Sequence, residues 1–242
     1  MASRGVALVT GAARRIGRVL TQVAADAGYD VALHVRTVDD AAEAAAADVR
    51  ARGRKAALFA CDLRREAATV ALVGEAEAEL GPVTLLVNSA SVFEQDSFAD
   101  FNRASWDLHL ETNLRAPLVL AQAFARRLPA ECEGLIVNIL DQRVLGTTPE
   151  FFSYSLSKAA LWAATRMLAV DLAPRIRVNG IGPGPTLPSI HQDQAAFEAE
   201  AASTLLQRPV PPAEIGLALR YLIDAGSVTG QMIAADSGQH LS

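Results

Sequence analysis

Cysteine is nearly missing from this 242-residue chain, and the two present, Cys61 and Cys132, stand far apart without Cys-x-x-Cys spacing. That excludes a disulfide framework and predicts two buried thiols in a reducing compartment. Metal-ligand spacing is missing too: His34, His109, His191 and His240 form no such pattern, so no metal is expected. Although 51% of the residues are hydrophobic, no run approaches the roughly 18 uninterrupted apolar residues of a membrane span. The first strand pattern begins too early to leave room for a signal peptide, so the expectation is a cytoplasmic protein with no membrane partner. Excess basic charge is lacking, and a net charge of −5 argues against nucleic acid as a partner. No Pro/Gly/Ser-rich linker interrupts the alternation of strand and helix patterns, which predicts one α/β domain over 1–242.

The chain does contain an apolar run, Val6-Ala7-Leu8-Val9-Thr10, leading into Gly11-Ala12-Ala13-Arg14-Arg15-Ile16-Gly17 and then an apolar-periodic segment. This reads as buried strand, glycine turn and helix. Gly11 and Gly17 let backbone approach a phosphate closely, and the free N–H groups of the following helix favour an anion there. The spacing is not Gly-x-Gly-x-x-Gly, and the glycines taken alone are equally compatible with a simple turn. Further strands are expected over 31–35, 56–60, 85–88, 135–140, 177–182 and near 232–234. Helices fill the gaps; the one over 40–52 is alanine-rich, and alanine has the best helix propensity. A long helix over 151–173 is apolar on more than one face. On it Tyr154 and Lys158 share a face, so the ammonium is expected to lower the phenol pKa from about 10, as a proton donor in catalysis requires.

Six segments in order carry a resemblance that runs from end to end of the chain: Thr10-Gly11 through Gly17, Asp62-Leu63, Asn88-Ser89-Ala90, Asn113 in a helix, Tyr154 with Lys158, and Pro183-Gly184. Together they resemble the short-chain dehydrogenase/reductase family. That implies a Rossmann-like, doubly wound, seven-stranded, mainly parallel sheet with helices on both faces, and an NADP-dependent oxidoreductase. Two departures from the family pattern are Arg15, at the place of a middle glycine, and Asp141, thirteen residues before Tyr154 at the place of a serine. Both resemble the pteridine reductase and dihydromonapterin reductase branch, whose glycine loop carries a basic residue and whose site uses Asp, Tyr and Lys. Ala90-Ser91-Val92-Phe93 is similar to the segment in which that branch stacks a phenylalanine on the pterin, and Asp236 to Leu241 resembles its C-terminal end.

The resemblance implies a catalytic set of Asn113, Asp141, Tyr154 and Lys158, with Asn113 holding a water in a proton relay to the lysine. It implies that Gly11, Arg14, Arg15, Ile16, Gly17, Asp62, Leu63, Asn88, Ala90, Pro183 and Gly184 line the cofactor with Tyr154 and Lys158, Asp62 accepting from the adenine amino group. Arg15, Ser91, Phe93, Asp141 and Tyr154 are implied to meet the substrate, a pterin. The second strand ends His34-Val35-Arg36-Thr37, and the first acids follow only at Asp39 and Asp40. An acid for a ribose 2′-hydroxyl is therefore lacking, and Arg36, aided by Arg14 or Arg15, suits the 2′-phosphate of NADPH. A solvated Arg36 is the plain alternative.

The chemistry expected is hydride transfer to a polarised C=N bond with Tyr154 protonating the nitrogen. An ionised Asp141 can only accept hydrogen bonds where a serine would donate, which suits a ring bearing N–H donors. A carbonyl or 3-oxoacyl thioester reductase of the same fold, and a non-catalytic NADPH sensor, are the competing readings. The proline-flanked segment 185–212, helical over 192–206, is expected to cover the substrate. Helices at the position of 151–173 pack against a partner subunit in the family, which implies a homo-oligomer, a tetramer; a thick internal core gives the same apolar pattern.

Overall fold

The computed structural model describes residues 3–146, 148–189 and 191–242. Its seven strands are β1 (Val6–Thr10), β2 (Asp30–Val35), β3 (Ala56–Ala60), β4 (Val83–Asn88), β5 (Gly134–Ile139), β6 (Ile176–Pro183) and β7 (Met232–Ala235). They form one sheet in the order β3-β2-β1-β4-β5-β6-β7, and every neighbouring pair is parallel. The sheet expected to be mainly parallel is therefore parallel throughout.

Continuous apolar runs become strands here because both sheet faces are covered, and side chains alternate between the two. Ala7 and Val9 of β1 join one core with Leu85 and Val87 of β4, whereas Val6, Leu8 and Leu86 join the opposite one. The first core is closed by α1 (Arg15–Asp26), α2 (Asp40–Ala51) and α8 (Pro212–Asp224), through Leu20, Val49, Ile215 and Leu219. The second is closed by α3 (Glu66–Leu80), α5 (Ala116–Arg127) and α6 (Phe152–Asp171), through Leu72, Leu120, Phe124 and Ala169. Each fully buried leucine contributes about 1.5–3 kcal/mol relative to exposure. Two further helices, α4 (Arg103–Leu110) and α7 (Gln194–Ser203), flank the carboxyl-end loops.

Strand order reverses between β1 and β4, and in open parallel sheets a crevice opens at the carboxyl ends at that point. The two strand ends are tied together: Thr10 Oγ1 accepts from Ser89 N and Ala90 N, each at 3.0 Å. A buried polar ladder fixes α6 over the same ends. Asn88 Nδ2 donates to Asn138 Oδ1 at 2.8 Å, and Asn138 Nδ2 to Thr165 Oγ1 at 2.9 Å.

Two expectations are corrected. Cys61 and Cys132 are free but only half-buried, because each borders its core at a strand or helix end. The helix expected over 192–206 ends at Ser203, where Thr204 turns extended. Asn113 lies in a helical segment as expected, in the π-helical turn Glu111–Arg115 between α4 and α5. Among the described residues, no helix is long and apolar enough to cross a membrane.

Candidate active site

The glycine turn closes on itself. A Cβ on Gly17 would stand 2.1 Å from the Gly11 carbonyl oxygen, so no side chain fits there, and Gly11 has a φ of +65°. Arg15 occupies the left-handed region at φ 51°, the place where the resembled family uses glycine and where an L side chain costs roughly 1–2 kcal/mol. Its guanidinium offsets that cost by donating to Pro188 O at 2.9 Å and Leu187 O at 3.2 Å, tying the glycine turn to the segment after β6. Arg14 pairs with Asp39 at 2.9 Å, and Asp39 also caps α2 by accepting from Ala42 N at 3.0 Å. The first acid after β2 is thus engaged, while Arg36 at the end of β2 is exposed. Asp62 is held by Arg64 at 2.5 Å, and that guanidinium brings its pKa down to about 2. Leu63 is buried, and Ile16 packs against the first core. His34 accepts from Gly11 N at 3.4 Å, and burial lowers its pKa, a structural role for this histidine.

Pro183 ends β6, and Gly184 is demanded by close approach: a Cβ there would lie 2.6 Å from Asp236 Cα. Ala90 packs against Gly11 in the same way, its Cα 3.0 Å from where a Gly11 Cβ would stand.

At the other side of the crevice, α6 begins at Phe152 without a side-chain cap of its own, because Phe151 is left-handed. Asp96 supplies the missing acceptors from a distant loop: its Oδ1 takes Ser153 N at 2.9 Å and its carbonyl takes Phe152 N at 3.2 Å. The first turn of α6, and Tyr154 with it, is thereby pinned. Tyr154 Oη donates to Asp141 Oδ2 at 2.7 Å. Lys158 Nζ donates to Ile139 O at 2.8 Å and lies 5.7 Å from the Tyr154 ring centre. This ammonium is buried and has used one of its three donors. Asn88 Oδ1, also buried at the carboxyl end of the sheet, has no donor among the described residues.

The expected depression of the Tyr154 pKa by Lys158 is overturned. Burial raises the phenol pKa well above 10, and the Asp141 carboxylate that accepts its proton raises it further, with only Arg143 pulling the other way. The Lys158 ammonium points to a backbone carbonyl, not to the phenol oxygen, and burial brings its own pKa down to about 8 against the support of Asp141.

Asn113 joins the two halves of the site. Its carboxamide accepts from Val92 N at 2.8 Å and Ser91 Oγ at 3.3 Å, and donates to Val92 O at 2.9 Å and Ser157 Oγ at 3.1 Å. The segment carrying Ser91 and Phe93 is thus tied to α6 through a π turn, a device often found at functional sites. Phe93 stands edge-on to Tyr154, with ring centres 4.7 Å apart, and its face stacks on Phe151 at 4.1 Å. The site therefore brings together Asn113, Asp141, Tyr154, Lys158, Ser91 and Phe93; Arg15 instead reaches the segment after β6, and Arg14 a surface ion pair.

A family model described as short chain dehydrogenase matches residues 5–199. The chain belongs to the short chain dehydrogenase family. It is accordingly an oxidoreductase, and its sheet is the Rossmann-like one expected. FolM alternative dihydrofolate reductase 1 from Brucella canis, solved with NADP, is 45% identical with a TM-score of 0.95, covering 100% of this chain and 96% of that one. A short chain dehydrogenase from Burkholderia cenocepacia, also solved with NADP, is 30% identical with a TM-score of 0.91, covering 98% of each chain. Nodulation protein G of Azospirillum brasilense is 31% identical across 98% of both chains.

Sequence reasoning missed several members of this short chain dehydrogenase site. Phe151 and Arg143 sit against Phe93, and His191 Nε2 lies 3.1 Å from Phe93 O and 3.2 Å from Glu94. The adjacency of Phe151 to Tyr154 was visible as a signal; the contact of His191 across 98 residues had none. Buried His109 accepts from Glu94 N at 3.1 Å, which makes it a support for the same loop.

Proposed function

We propose that this oxidoreductase is an NADPH-dependent reductase of a pterin or dihydropterin C=N bond. The observation that carries the reading is the half-buried Tyr154–Asp141 hydrogen bond, in which a carboxylate takes the place of a hydroxyl. The 45% identity to the NADP-bound Brucella canis alternative dihydrofolate reductase supports both cofactor and substrate class.

The residues present fit the cofactor. Gly11 and Gly17 leave backbone free to meet the pyrophosphate, Asp62 would accept from the adenine amino group, and the two unspent donors of Lys158 suit ribose hydroxyls, as the unpaired Asn88 Oδ1 suits a donor. Arg36, beside an Asp39 already committed to Arg14, suits the 2′-phosphate. When bound, NADPH supplies the hydride. Tyr154 holds a proton at Oη, and its raised pKa keeps that proton in place at neutral pH until a substrate nitrogen takes it. Asp141, acceptor only, receives hydrogen bonds from the N–H groups of a pterin edge, and Phe93, one face of which is taken by Phe151, borders the ring with the other. Asn113 is a positioning residue that holds the Ser91–Phe93 segment against α6. The segment 185–212, tied down by Arg15, covers the substrate.

We also place the protein in the cytoplasm and read it as a homotetramer, in keeping with an outer face of α6 on which Met167 and Val170 are exposed. Sedimentation should give the tetramer mass. The function is tested by steady-state NADPH oxidation with dihydrobiopterin, dihydromonapterin and dihydrofolate set against ketones and an acyl thioester. Faster turnover of a dihydropterin is expected; turnover of ketones alone overturns the reading.

A further inference from the structure

Arg143 lies in the 3-10 turn Gln142–Val144 directly after Asp141, and Asp141 Oδ1 accepts its backbone N–H at 2.9 Å. The carboxylate whose other oxygen holds Tyr154 therefore also fixes where the Arg143 side chain leaves the backbone. Its guanidinium carbon lies 5.4 Å from the Phe93 ring centre and 5.1 Å from that of Phe151. The guanidinium thus lies against the stacked Phe93–Phe151 pair, which neither neutralises it nor uses its N–H donors. Among the described residues no carboxylate lies within ion-pair distance of Arg143. Glu94, the acid next to Phe93, turns to His191 instead. Of the other arginines around the crevice, Arg14 is committed to Asp39, Arg64 to Asp62 and Arg15 to two carbonyls, while Arg36 is assigned to the cofactor by the proposed function. The field of Arg143 also reaches the centre of the site, where it opposes the upward shift of Tyr154.

A half-buried guanidinium with unspent donors, braced on two rings beside the proton donor, is suited to bidentate capture of a planar anion. We infer that Arg143 is a specificity-determining residue that binds a carboxylate carried by the substrate outside its reacting ring. The enzyme then favours a ring bearing such a tail over the same ring without one. Only the identity of the ring as a pterin rests on the proposed function; the cation and its aromatic brace do not.

The test is calorimetric binding to the NADP-loaded protein of two matched pairs, each with and without a free carboxylate: dihydrofolate against its dimethyl ester, and 4-carboxybenzaldehyde against benzaldehyde. Wild type, Arg143→Met and Arg143→Lys are compared. The wild type should prefer the carboxylated member, and the preference should weaken with added salt. It should fall roughly ten-fold in the Met variant, the worth of a charge-assisted hydrogen bond, and survive in part in the Lys variant. Neither pterin binding, while the aldehyde pair still shows a preference lost in Arg143→Met, sinks the pterin reading and supports the role of Arg143. The inference is overturned if the wild type prefers the carboxylate in neither pair or if Arg143→Met keeps the preference. It is equally overturned if that variant weakens NADP binding by the same factor, since the anion held would then be the cofactor's.

Discussion

Replacing Asp141 by serine separates the two chemistries this fold can run. In the wild type one carboxylate does two things, accepting from Tyr154 Oη at 2.7 Å and from Arg143 N at 2.9 Å. A serine hydroxyl can still cap the turn, but it is too short to serve both partners and carries no charge. The loss of a hydrogen bond to a charged group is worth about 1.5–3 kcal/mol, so kcat/KM for a dihydropterin should fall roughly ten-fold to a hundred-fold. The pH profile should move as well. Lys158 has a pKa of about 8, depressed by burial and supported by Asp141. Below that pH it is an ammonium that can donate to the cofactor; above it the charge is lost, so activity should decline on the alkaline side near pH 8. Without Asp141 the support disappears, and the decline should begin at lower pH. Tyr154, held up by the same carboxylate, should shift down too. The assay is steady-state NADPH oxidation across neutral and alkaline pH, with a dihydropterin and a ketone in parallel. An Asp141→Ser enzyme within a few-fold of wild type on the dihydropterin, with its alkaline limb unmoved, refutes the reasoning; so does a serine variant that gains ketone reduction above the wild-type pterin rate.

Three further outcomes are expected. Tyr154→Phe should bind NADPH nearly as wild type yet lose turnover by on the order of 10²–10⁴, the usual worth of a positioned acid; turnover within a few-fold of wild type removes Tyr154 from the chemistry. Arg36→Ala should weaken NADPH by about 1.5–3 kcal/mol in titration calorimetry and leave NADH little changed, and equal loss for both contradicts a 2′-phosphate contact. Gly17→Ala must displace backbone, since its Cβ would stand 2.1 Å from Gly11 O. Overpacking of that kind costs about 1–3 kcal/mol, at about 2–4 °C of Tm per kcal/mol, and dinucleotide affinity should drop with it; an unchanged Tm and affinity would show that the turn relaxes freely.

The strands were legible because a parallel sheet covered on both faces needs short continuous apolar runs, and 6–10 and 56–60 carry them to the residue. The i, i+4 placement of Tyr154 and Lys158 was legible for the same reason: helical periodicity fixes a shared face. It did not tell which partner each group would choose. Lys158 turned to a carbonyl and Tyr154 to Asp141, and burial, aided by that carboxylate, reversed the direction of the phenol shift. Contacts set by tertiary packing had no local signal. Asp96 capping α6, Asn113 clasping Val92 and Arg15 reaching Pro188 each join residues far apart in the chain, and nothing in residue spacing encodes them. The π turn at Asn113 was hidden too, because one extra residue in a helical ladder leaves the apolar pattern nearly unchanged.

The central claim, hydride delivery to a pterin ring, is tested most directly by a competition experiment. Wild-type protein is given NADPH deuterated at the transferred position together with a dihydropterin and a ketone in one mixture, and the products are weighed by mass spectrometry. The account predicts tetrahydropterin carrying deuterium, with the ketone recovered largely unreduced. Deuterated alcohol beside untouched dihydropterin would contradict it.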